Sequence, residues 1–321
     1  MCSSRGSSVE MRVLLTGASG FVGGRLAQRL LFAGHEVFSV VRRAAPSVPG
    51  EQLVAEGLQI AVLREVLAGR GIDAVVNLAA AGVHPGDRDP ESLVRINACF
   101  PSELVRLAAD HGARSFVQVG SSAEYAGSDS LQLITESSPP EARRLYGASK
   151  AAGGLLARAL GEQCGLPVAV LRLFNVFGPG EAAHRLFPSL VSSLRRSDCV
   201  ALSAGTQVRD FMHVDEVCEG IEIVLGVLAG NPELAGTYNL ASGRGTTVRN
   251  FALEVAAALD VARELLRFGA LPLRPDDLPS VVGDPRAFKT AFGWSSTRSL
   301  TEGVVAAVQE LADADCAMLK A

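Results

Sequence analysis

A glycine-rich segment near the start of the chain constrains the fold most strongly. The apolar residues 12–16 are followed by Gly17-Ala-Ser-Gly20-Phe-Val-Gly23 and then by an amphipathic helical pattern. Between a strand and a helix, Gly17 permits a tight turn, Gly20 lets the backbone approach a pyrophosphate, and Gly23 lets the helix pack closely on the strand. The free N–H groups of the helix N-terminus then face the phosphate. The segment predicts a dinucleotide-binding turn with contacts from Gly17, Ser19, Gly20, Phe21, Val22 and Gly23.

Strand-like apolar runs alternate with amphipathic helical stretches through the first half of the chain. The predicted strands are Arg12–Thr16, Glu36–Val41, Ala74–Leu78, Ser115–Gly120 and Val168–Phe174, and the predicted helices are Val22–Ala33, Val62–Ala68, Pro90–His111 and Gly147–Cys164. Hydrophobic residues make up 48% of the chain and the mean hydropathy is +0.25, which suits a parallel sheet buried on both faces. This alternation predicts an α/β fold with a doubly wound parallel (Rossmann) sheet.

The second half of the chain lacks the regular alternation of strand and helix patterns. Its sequence predicts a smaller α/β domain that is interleaved with the dinucleotide-binding domain. Short runs rich in Pro and Gly extend to about residue 210, and residues 271–285 are rich in Pro and Asp and are expected to form a loop. Helices are predicted at Val214–Leu228, Val248–Leu259 and Ser299–Met318, with a strand at Thr237–Leu240. We expect a disordered tail at 1–10, a dinucleotide-binding domain at 11–173 and 208–242, and a substrate-binding domain at 174–207 and 243–321.

Charge and cysteine usage narrow the classes of partner. The formal net charge is −4 and no long basic run occurs, so nucleic acid is not expected as a partner. No run of about 18 uncharged apolar residues is present, so no membrane partner is expected either. The six cysteines are scattered and the five histidines are dispersed. This pattern predicts no metal site and no disulfide framework, and it suits a reducing cytoplasm.

The end of the second predicted strand bears on the choice of cofactor. An NAD-binding sheet commonly ends this strand with an acidic residue that accepts hydrogen bonds from the adenosine ribose. Here the strand ends Val40-Val41-Arg42-Arg43, and arginine pairs well with a 2′-phosphate. The sequence therefore favours NADP(H), with contacts from Arg42 and Arg43. NAD(H) remains possible if both arginines are solvated surface residues.

Tyr146 and Lys150 form a second motif well downstream of the glycine turn. The chain has only three tyrosines, and this one stands four residues before a lysine in LYGASKAAGG. On a helix the two side chains share a face, because four residues are about one turn. An ammonium beside a phenol stabilises the phenolate and is expected to lower the pKa of Tyr146. The pair therefore predicts a tyrosine acid/base, the alternative being an accidental pair on a surface helix.

Together with Asn77-Leu78-Ala79-Ala80, these two motifs resemble the extended short-chain dehydrogenase/reductases. Further fragments that resemble this family are VGSSAEYAG, LRLFNVFGPGE, RDFMHVDEV, GTYNLASG and LRPDDLPSVVGD, so the resemblance extends from Met11 over nearly the whole chain. These fragments are similar to those of nucleotide-sugar epimerases, dehydratases and 4-ketoreductases. The resemblance implies a Rossmann domain for the cofactor and a small domain for a nucleoside-diphosphate sugar.

Roles carried over from the family fall on matching positions of this sequence. Tyr146 would be the acid/base, Lys150 would hold the nicotinamide ribose, and Ser122 would hydrogen-bond the reacting oxygen, with Ser121 as the fallback. For the substrate, Asn175 would contact the sugar diphosphate, while Arg209 and Arg274 would clamp its phosphates. Further cofactor contacts implied by the resemblance are Leu58, Leu78, Ala79, Ala80, Phe174 and Val176. The family's acidic residue before the leucine that contacts adenine is missing, because Gly57 precedes Leu58 here.

The residues after the predicted catalytic serine separate the possible reactions. A 4,6-dehydratase needs a base at C5 and an acid at C6, which in the dTDP-glucose type are neighbouring Asp and Glu. Here Ala123 can neither donate nor accept a proton, although Glu124 remains as a possible catalytic base. A ketoreductase needs only Ser122, Tyr146, Lys150 and a reduced cofactor.

We therefore rank 4-ketoreductase of a 4-keto-6-deoxy sugar nucleotide first, 4,6-dehydratase second and 4-epimerase third. A protein of another class, one that senses NADP without catalysis, would not need the phenol of Tyr146. Reduction of a ketone that is not a sugar would leave Arg209 and Arg274 without phosphates to bind. Related enzymes pair through helices that here lie near 90–111 and 147–164, so the resemblance also implies a homodimer.

Overall fold

The computed structural model of the chain describes residues 10–84, 86–127, 132–274 and 277–318. The predicted disordered tail at 1–10 falls, apart from Glu10, outside the described residues. The strands are β1 Arg12–Thr16, β2 Glu36–Val41, β3 Glu51–Val54, β4 Ala74–Asn77, β5 Ser115–Ser121, β6 Val168–Leu173, β7 Asn175–Phe177, β8 Val200–Leu202, β9 Val208–His213, β10 Gly236–Leu240, β11 Gly245–Thr247, β12 Leu266–Phe268 and β13 Ser280–Val281.

The helices are α1 Phe21–Phe32, α2 Ile60–Val66, α3 Pro90–Ser92, α4 Phe100–Asp110, α5 Leu145–Cys164, α6 Leu186–Arg195, α7 Val214–Gly230, α8 Val248–Ala258, α9 Arg286–Phe292 and α10 Leu300–Met318. A π-helical segment, Leu93–Cys99, joins α3 to α4. A 3₁₀ turn, Ser122–Glu124, follows β5.

Seven strands form one parallel sheet in the order β10-β6-β5-β4-β1-β2-β3. Six of these strands have the strand order of a Rossmann sheet, in which ligands bind where the order reverses at β1 and β4. The predicted doubly wound parallel sheet is therefore confirmed. Six of its seven strands, all except β3, agree with the sequence prediction to within one residue at each end, because long apolar runs between helical patterns identify buried parallel strands well.

Both faces of this sheet are covered by helices. Along β1, Val13 and Leu15 belong to one apolar cluster and Leu14 to another, because successive side chains of a strand point to opposite faces. The first cluster is completed by helices α1, α7 and α9, and the second by α2, α4 and α5. The buried strands thus read as continuous hydrophobic runs.

A smaller unit of strands and helices follows the large sheet in the chain. Its central strand β9 pairs in parallel with β7 and β13 and antiparallel with β11, while β8 pairs with β12. Helices α6, α8 and α10 enclose a separate core that includes Phe187, Phe251 and Val304. Helix α7 and strand β10 then return to the large sheet, so the two units are interleaved.

The placement of β9 differs from the predicted domain boundary. Residues 208–242 were assigned to the dinucleotide-binding domain, whereas the strand at Val208–His213 hydrogen-bonds with strands of the small sheet. The division of the chain into two domains at the stated boundaries stays a prediction. Across the described ranges, no helix is both long and apolar enough to cross a membrane.

The turn after β1 lies against its neighbours so closely that side chains are excluded. Gly17 has a φ of +73°, and a Cβ there would lie 2.8 Å from the carbonyl carbon of Leu78 at the end of β4. A Cβ on Gly23 would lie 2.1 Å from the carbonyl oxygen of Gly17. Only glycine fits at both positions, which is the arrangement the sequence predicts.

Gly23→Ala should destabilise the protein by about 1–3 kcal/mol or more, because the added methyl overlaps fixed backbone that has no room to move. Gly226→Ala is a matched control in helix α7, where a Cβ has no neighbour within 4 Å. That substitution should stabilise by about 0.5–1 kcal/mol through helix propensity. Urea unfolding of both variants measures the two changes, and equal free energies of unfolding would contradict the packing described for the turn.

Candidate active site

The N-terminus of α1 has the features of a phosphate cradle. Its N-cap residue Gly20 makes no side-chain capping bond, so N–H groups of the first turn are available to an anion. The absence of side chains at Gly17 and Gly20 leaves the backbone accessible there. These residues fit the pyrophosphate of a dinucleotide, and the individual contacts predicted for Ser19, Phe21 and Val22 stay predictions.

A buried chain of polar side chains ties three strands together beside this cradle. The Thr16 hydroxyl bonds with Asn77 Oδ1 at 2.5 Å and accepts from the N–H of Ala79 at 3.2 Å. Asn77 Nδ2 donates to Gln118 Oε1 at 2.8 Å. This chain fixes the carboxyl ends of β1 and β4 against the middle of β5, near the edge where a Rossmann sheet binds its ligands. Sequence reasoning did not identify it, because isolated polar residues in apolar strands give no periodic signal.

The positions expected to contact the adenosine half of a dinucleotide lie at the ends of β2 and β3. Arg42 and Arg43 are exposed directly after β2. Leu58 has a left-handed backbone with a φ of 54°, an uncommon conformation for this residue type. The carbonyl of the preceding Gly57 accepts a hydrogen bond from Arg95 at 2.9 Å. The π-helical segment Leu93–Cys99 thus fixes the position of the backbone next to Leu58 through this hydrogen bond.

Helix α5 carries the predicted tyrosine–lysine pair in the expected orientation. Lys150 is buried, and its Nζ donates a hydrogen bond of 2.6 Å to the carbonyl of Val119 in β5. Burial lowers the pKa of this ammonium, and the nearby negative charge of Glu124 opposes the shift. The bond to β5 fixes the lysine at the carboxyl end of the sheet, where a cofactor ribose would lie.

Tyr146 differs from expectation in its acidity. Burial raises its pKa above the ordinary value, while a hydrogen bond with Ser121 and the charges of Arg185 and Arg88 offset part of the shift. The expectation that Lys150 lowers this pKa is therefore wrong for this structure. Desolvation of the phenol is the larger effect, and the lysine nitrogen donates to the Val119 carbonyl instead. The phenol stays protonated at neutral pH and is suited to donate a proton.

Of the two serines considered, Ser121 is the one whose side chain influences the Tyr146 phenol, since it lowers the pKa of that phenol. Ser121 ends β5, and its hydroxyl also accepts from the N–H of Ala123. Ser122 begins the 3₁₀ turn one residue later, where the chain direction has changed. A role for Ser122 stays a prediction. The sequence does not show which of two adjacent serines faces the tyrosine, because that depends on the geometry of the turn.

The carboxylate of Glu124 is held in place by two partners. Its Oε1 accepts from the N–H of Ser121 at 2.8 Å in a capping box, and its Oε2 accepts from Arg172 Nε at 2.7 Å. Both side chains of this ion pair are buried, the glutamate almost completely. Arg172 also lies over the ring of Tyr125 at 4.5 Å. These contacts give Glu124 a structural function whatever its part in catalysis.

The three residues predicted to bind substrate line one cavity of about 240 Å³. Asn175 comes from β7, Arg209 from β9 and Arg274 from the segment before β13. Arg209 is paired with Asp277 and donates to the carbonyl of Leu278 at 2.9 Å, so one guanidinium is oriented by the loop that carries the other. The cavity thus combines two arginines from separate elements, which suits a diphosphate.

The remaining predicted cofactor positions lie at the ends of β4 and β6. Leu78 and Ala80 are partly buried and Ala79 is buried. Phe174 packs in a small apolar cluster with Tyr125 and Ala241, and Val176 packs against the core of the large sheet. Further cavity residues that sequence reasoning did not identify are Glu181, Gln207 and Asp277. None of these belongs to a periodic pattern, so only the folded chain brings them together.

The class of protein follows from the Rossmann sheet with its glycine cradle, from Tyr146 and Lys150 on α5, and from the cavity that contains two arginines: it is an oxidoreductase of the extended short-chain dehydrogenase/reductase class. Residues 13–241 match the NAD dependent epimerase/dehydratase family, and the chain belongs to that family.

Individual relatives agree with this assignment. The dTDP-glucose 4,6-dehydratase of Streptomyces griseus is 33% identical over 260 residues, covering 72% of this chain and 78% of that protein. The GDP-6-deoxy-D-talose 4-dehydrogenase of Aggregatibacter actinomycetemcomitans is 26% identical, covering 91% and 96%. The solved structure of MoeE5 in complex with UDP-glucose and NAD superposes with a TM-score of 0.79 at 28% identity, covering 94% of this chain and 99% of that one.

Tyr146→Phe should lower turnover by about 10²–10⁴-fold, the usual contribution of a positioned acid/base, while the fold and cofactor binding persist. Tyr238→Phe is a matched control, because its hydroxyl donates only to the carbonyl of Leu234. That control should lose about 1 kcal/mol of stability and keep its turnover. Steady-state assays of both variants make the comparison, and near-normal activity of Tyr146→Phe would exclude the assigned role.

Proposed function

We propose that this protein transfers hydride between NADP(H) and carbon 4 of a nucleoside-diphosphate sugar, with net reduction of a 4-keto-6-deoxy sugar nucleotide. The observation that carries the proposal is the state of the two residues after Ser122. Ala123 has no ionisable group, and Glu124 has partners on both carboxylate oxygens. Glu124 is the residue that could remove a proton from C5 in a dehydration. Because Arg172 and the Ser121 N–H already bind its two oxygens, this arrangement disfavours dehydration.

In this proposal the chain's own residues bind, orient and protonate the sugar. Tyr146 donates a proton to the keto oxygen, a role that fits a phenol whose pKa is raised by burial. Ser121 shares that hydrogen bond and orients the reacting oxygen, with Ser122 as the neighbouring candidate. Lys150, fixed by the Val119 carbonyl, holds the nicotinamide ribose. A bound nicotinamide dinucleotide supplies the hydride.

Substrate selection in this proposal falls to the cavity residues. Arg209 and Arg274 clamp the two phosphates, and Asn175 contacts the sugar diphosphate. The 26% identity to a GDP-6-deoxy-D-talose 4-dehydrogenase supports oxidation and reduction at carbon 4. An epimerase is the second candidate, favoured by the 27% identity to a UDP-glucose 4-epimerase of Corynebacterium glutamicum, and it would need no acid/base beyond Tyr146.

We also propose that the protein acts as a cytoplasmic homodimer. Val94 of the π-helical segment and Leu155 and Leu156 of α5 are exposed by 45%, 65% and 47%. A second copy of the chain would cover these three apolar side chains, if the helices near 90–111 and 147–164 of each copy pack together as a four-helix interface. The cysteines in the described part of the chain are all free, which fits a reducing compartment.

The cofactor preference can be measured directly. If Arg42 meets a 2′-phosphate, NADPH should bind on the order of 10- to 100-fold more tightly than NADH, and Arg42→Ala should remove most of that difference. Arg263→Ala is a control, because this arginine is 80% exposed and is paired with the neighbouring Glu264. Fluorescence titration of both reduced cofactors gives the affinities. Equal affinities in the unaltered protein, or tighter binding of NADH, would contradict the preference for NADP(H).

The stoichiometry of the cofactor separates the reductase from its alternatives. With a 4-keto-6-deoxy sugar nucleotide, the protein should oxidise one NADPH per sugar reduced, seen as loss of nicotinamide absorbance. Glu124→Gln should cost about 3 kcal/mol of stability, because it breaks a buried pair with Arg172, yet the folded variant should keep reducing. Turnover of an unreduced nucleotide sugar without added NADPH, abolished by Glu124→Gln, would establish the dehydratase instead.

A further inference from the structure

The cavity that contains Arg209 and Arg274 also contains a carboxyl group with no assigned role. Glu181 follows the Gly178-Pro-Gly180 turn after β7, and its side chain is only 7% exposed. Its Oε1 accepts a hydrogen bond from Arg185 Nε at 3.2 Å. Its Oε2 is buried and has no hydrogen-bond partner among the described residues. A buried carboxyl oxygen without a partner costs stability and is uncommon unless a ligand or proton satisfies it.

The charges around Glu181 come from several elements. On its own loop are Arg185 and His184, and the ring of His184 meets that of His84, from the loop after β4, at 4.5 Å. The opposite walls of the cavity contribute Arg209, Arg274 and Asp277. Near Tyr146, Arg88 lies 5.8 Å from the phenol ring. Burial is the main influence, and it raises the pKa of Glu181 to about 7 although Arg185 opposes the shift.

A count of charges shows what a bound diphosphate would do to this carboxyl. Arg209 and Asp277 are paired and cancel one another. Arg274 and Arg185 then balance the two negative charges of a sugar diphosphate. An ionised Glu181 would leave one uncompensated negative charge on a side chain that is only 7% exposed, which is costly. Protonation of Glu181 removes that charge and turns Oε2 from an acceptor into a donor.

We propose that Glu181 is a substrate-binding residue that takes up one proton when the nucleoside-diphosphate sugar binds and then donates a hydrogen bond to it from Oε2. This inference rests on the proposed nucleotide-sugar substrate but not on which reaction follows. Binding should accordingly weaken with rising pH, because the ligand selects the protonated carboxyl. Above pH 7 the dissociation constant should increase by up to tenfold per pH unit, until the pKa of Glu181 in the complex is reached.

Isothermal titration calorimetry at pH 8 tests the proposal with UDP-glucose, dTDP-glucose and GDP-mannose as probes. Titrations in phosphate and in Tris, which differ in ionisation enthalpy, give the number of protons taken up. The unaltered protein should take up nearly one proton per ligand bound. Glu181→Gln, a neutral donor of the same shape, should bind with no uptake, and its affinity should change less than twofold between pH 8 and pH 9.

Two further variants test the count of charges and isolate the group responsible. Asp277→Asn leaves the positive charge of Arg209 without its partner, and by the same count this charge compensates an ionised Glu181, so proton uptake should fall although Glu181 is unchanged. His184→Gln removes the nearest histidine, and most of the uptake should remain. Binding without proton uptake, or undiminished uptake in Glu181→Gln, would overturn this inference while leaving the proposed function intact. Failure of the unaltered protein to bind any of the three probes would instead refute the proposed substrate class, and this inference with it.

Discussion

The contact between the turn after β1 and the end of β4 determines where everything else in this protein lies. A backbone approach that excludes a Cβ at Gly17 and Gly23 brings the N-terminus of α1 to the edge of the sheet. The Thr16–Asn77–Gln118 chain then locks that edge in register across β1, β4 and β5. Lys150 is placed by a bond to the next residue of β5, so the proton-transfer site is built on the same edge as the cradle.

The buried ionisable side chains around the site fall into two kinds, which differ in how well their polar atoms are hydrogen-bonded. Lys150 and Glu124 are buried but have protein partners, which fix the positions of their charged groups. Tyr146 and Glu181 are desolvated with weaker support, and burial raises the pKa of both. Groups of the second kind are suited to gain or hold a proton when a ligand arrives. Whether a buried group is fixed in place or is suited to take up a proton thus depends on the hydrogen-bond partners that the fold provides for its oxygen or nitrogen atoms.

Prediction from the sequence was most accurate where a signal is long or chemically specific. Long apolar runs gave β1 and β2, and the tyrosine–lysine spacing gave the face of α5, because periodicity and composition carry that information. Strands of two or three residues such as β13 are too short to show an alternation of apolar and polar residues. Helix α6 was not predicted, because it lies in a part of the chain where residues typical of loops are frequent. The bond between Lys150 and the Val119 carbonyl, and the burial of Glu181, arise from contacts between distant segments that no local pattern encodes.

Transfer of hydride from the cofactor to carbon 4 of the sugar is the central claim, and an isotope label follows it directly. NADPH carrying deuterium at the transferable position is supplied with a 4-keto-6-deoxy sugar nucleotide, and the product is examined by NMR. One deuterium should appear at carbon 4 of each product molecule, in a single configuration, and the labelled product should form about 10²–10⁴-fold more slowly when Phe replaces Tyr146. Product formed without deuterium, or with deuterium at another carbon, would contradict the central claim.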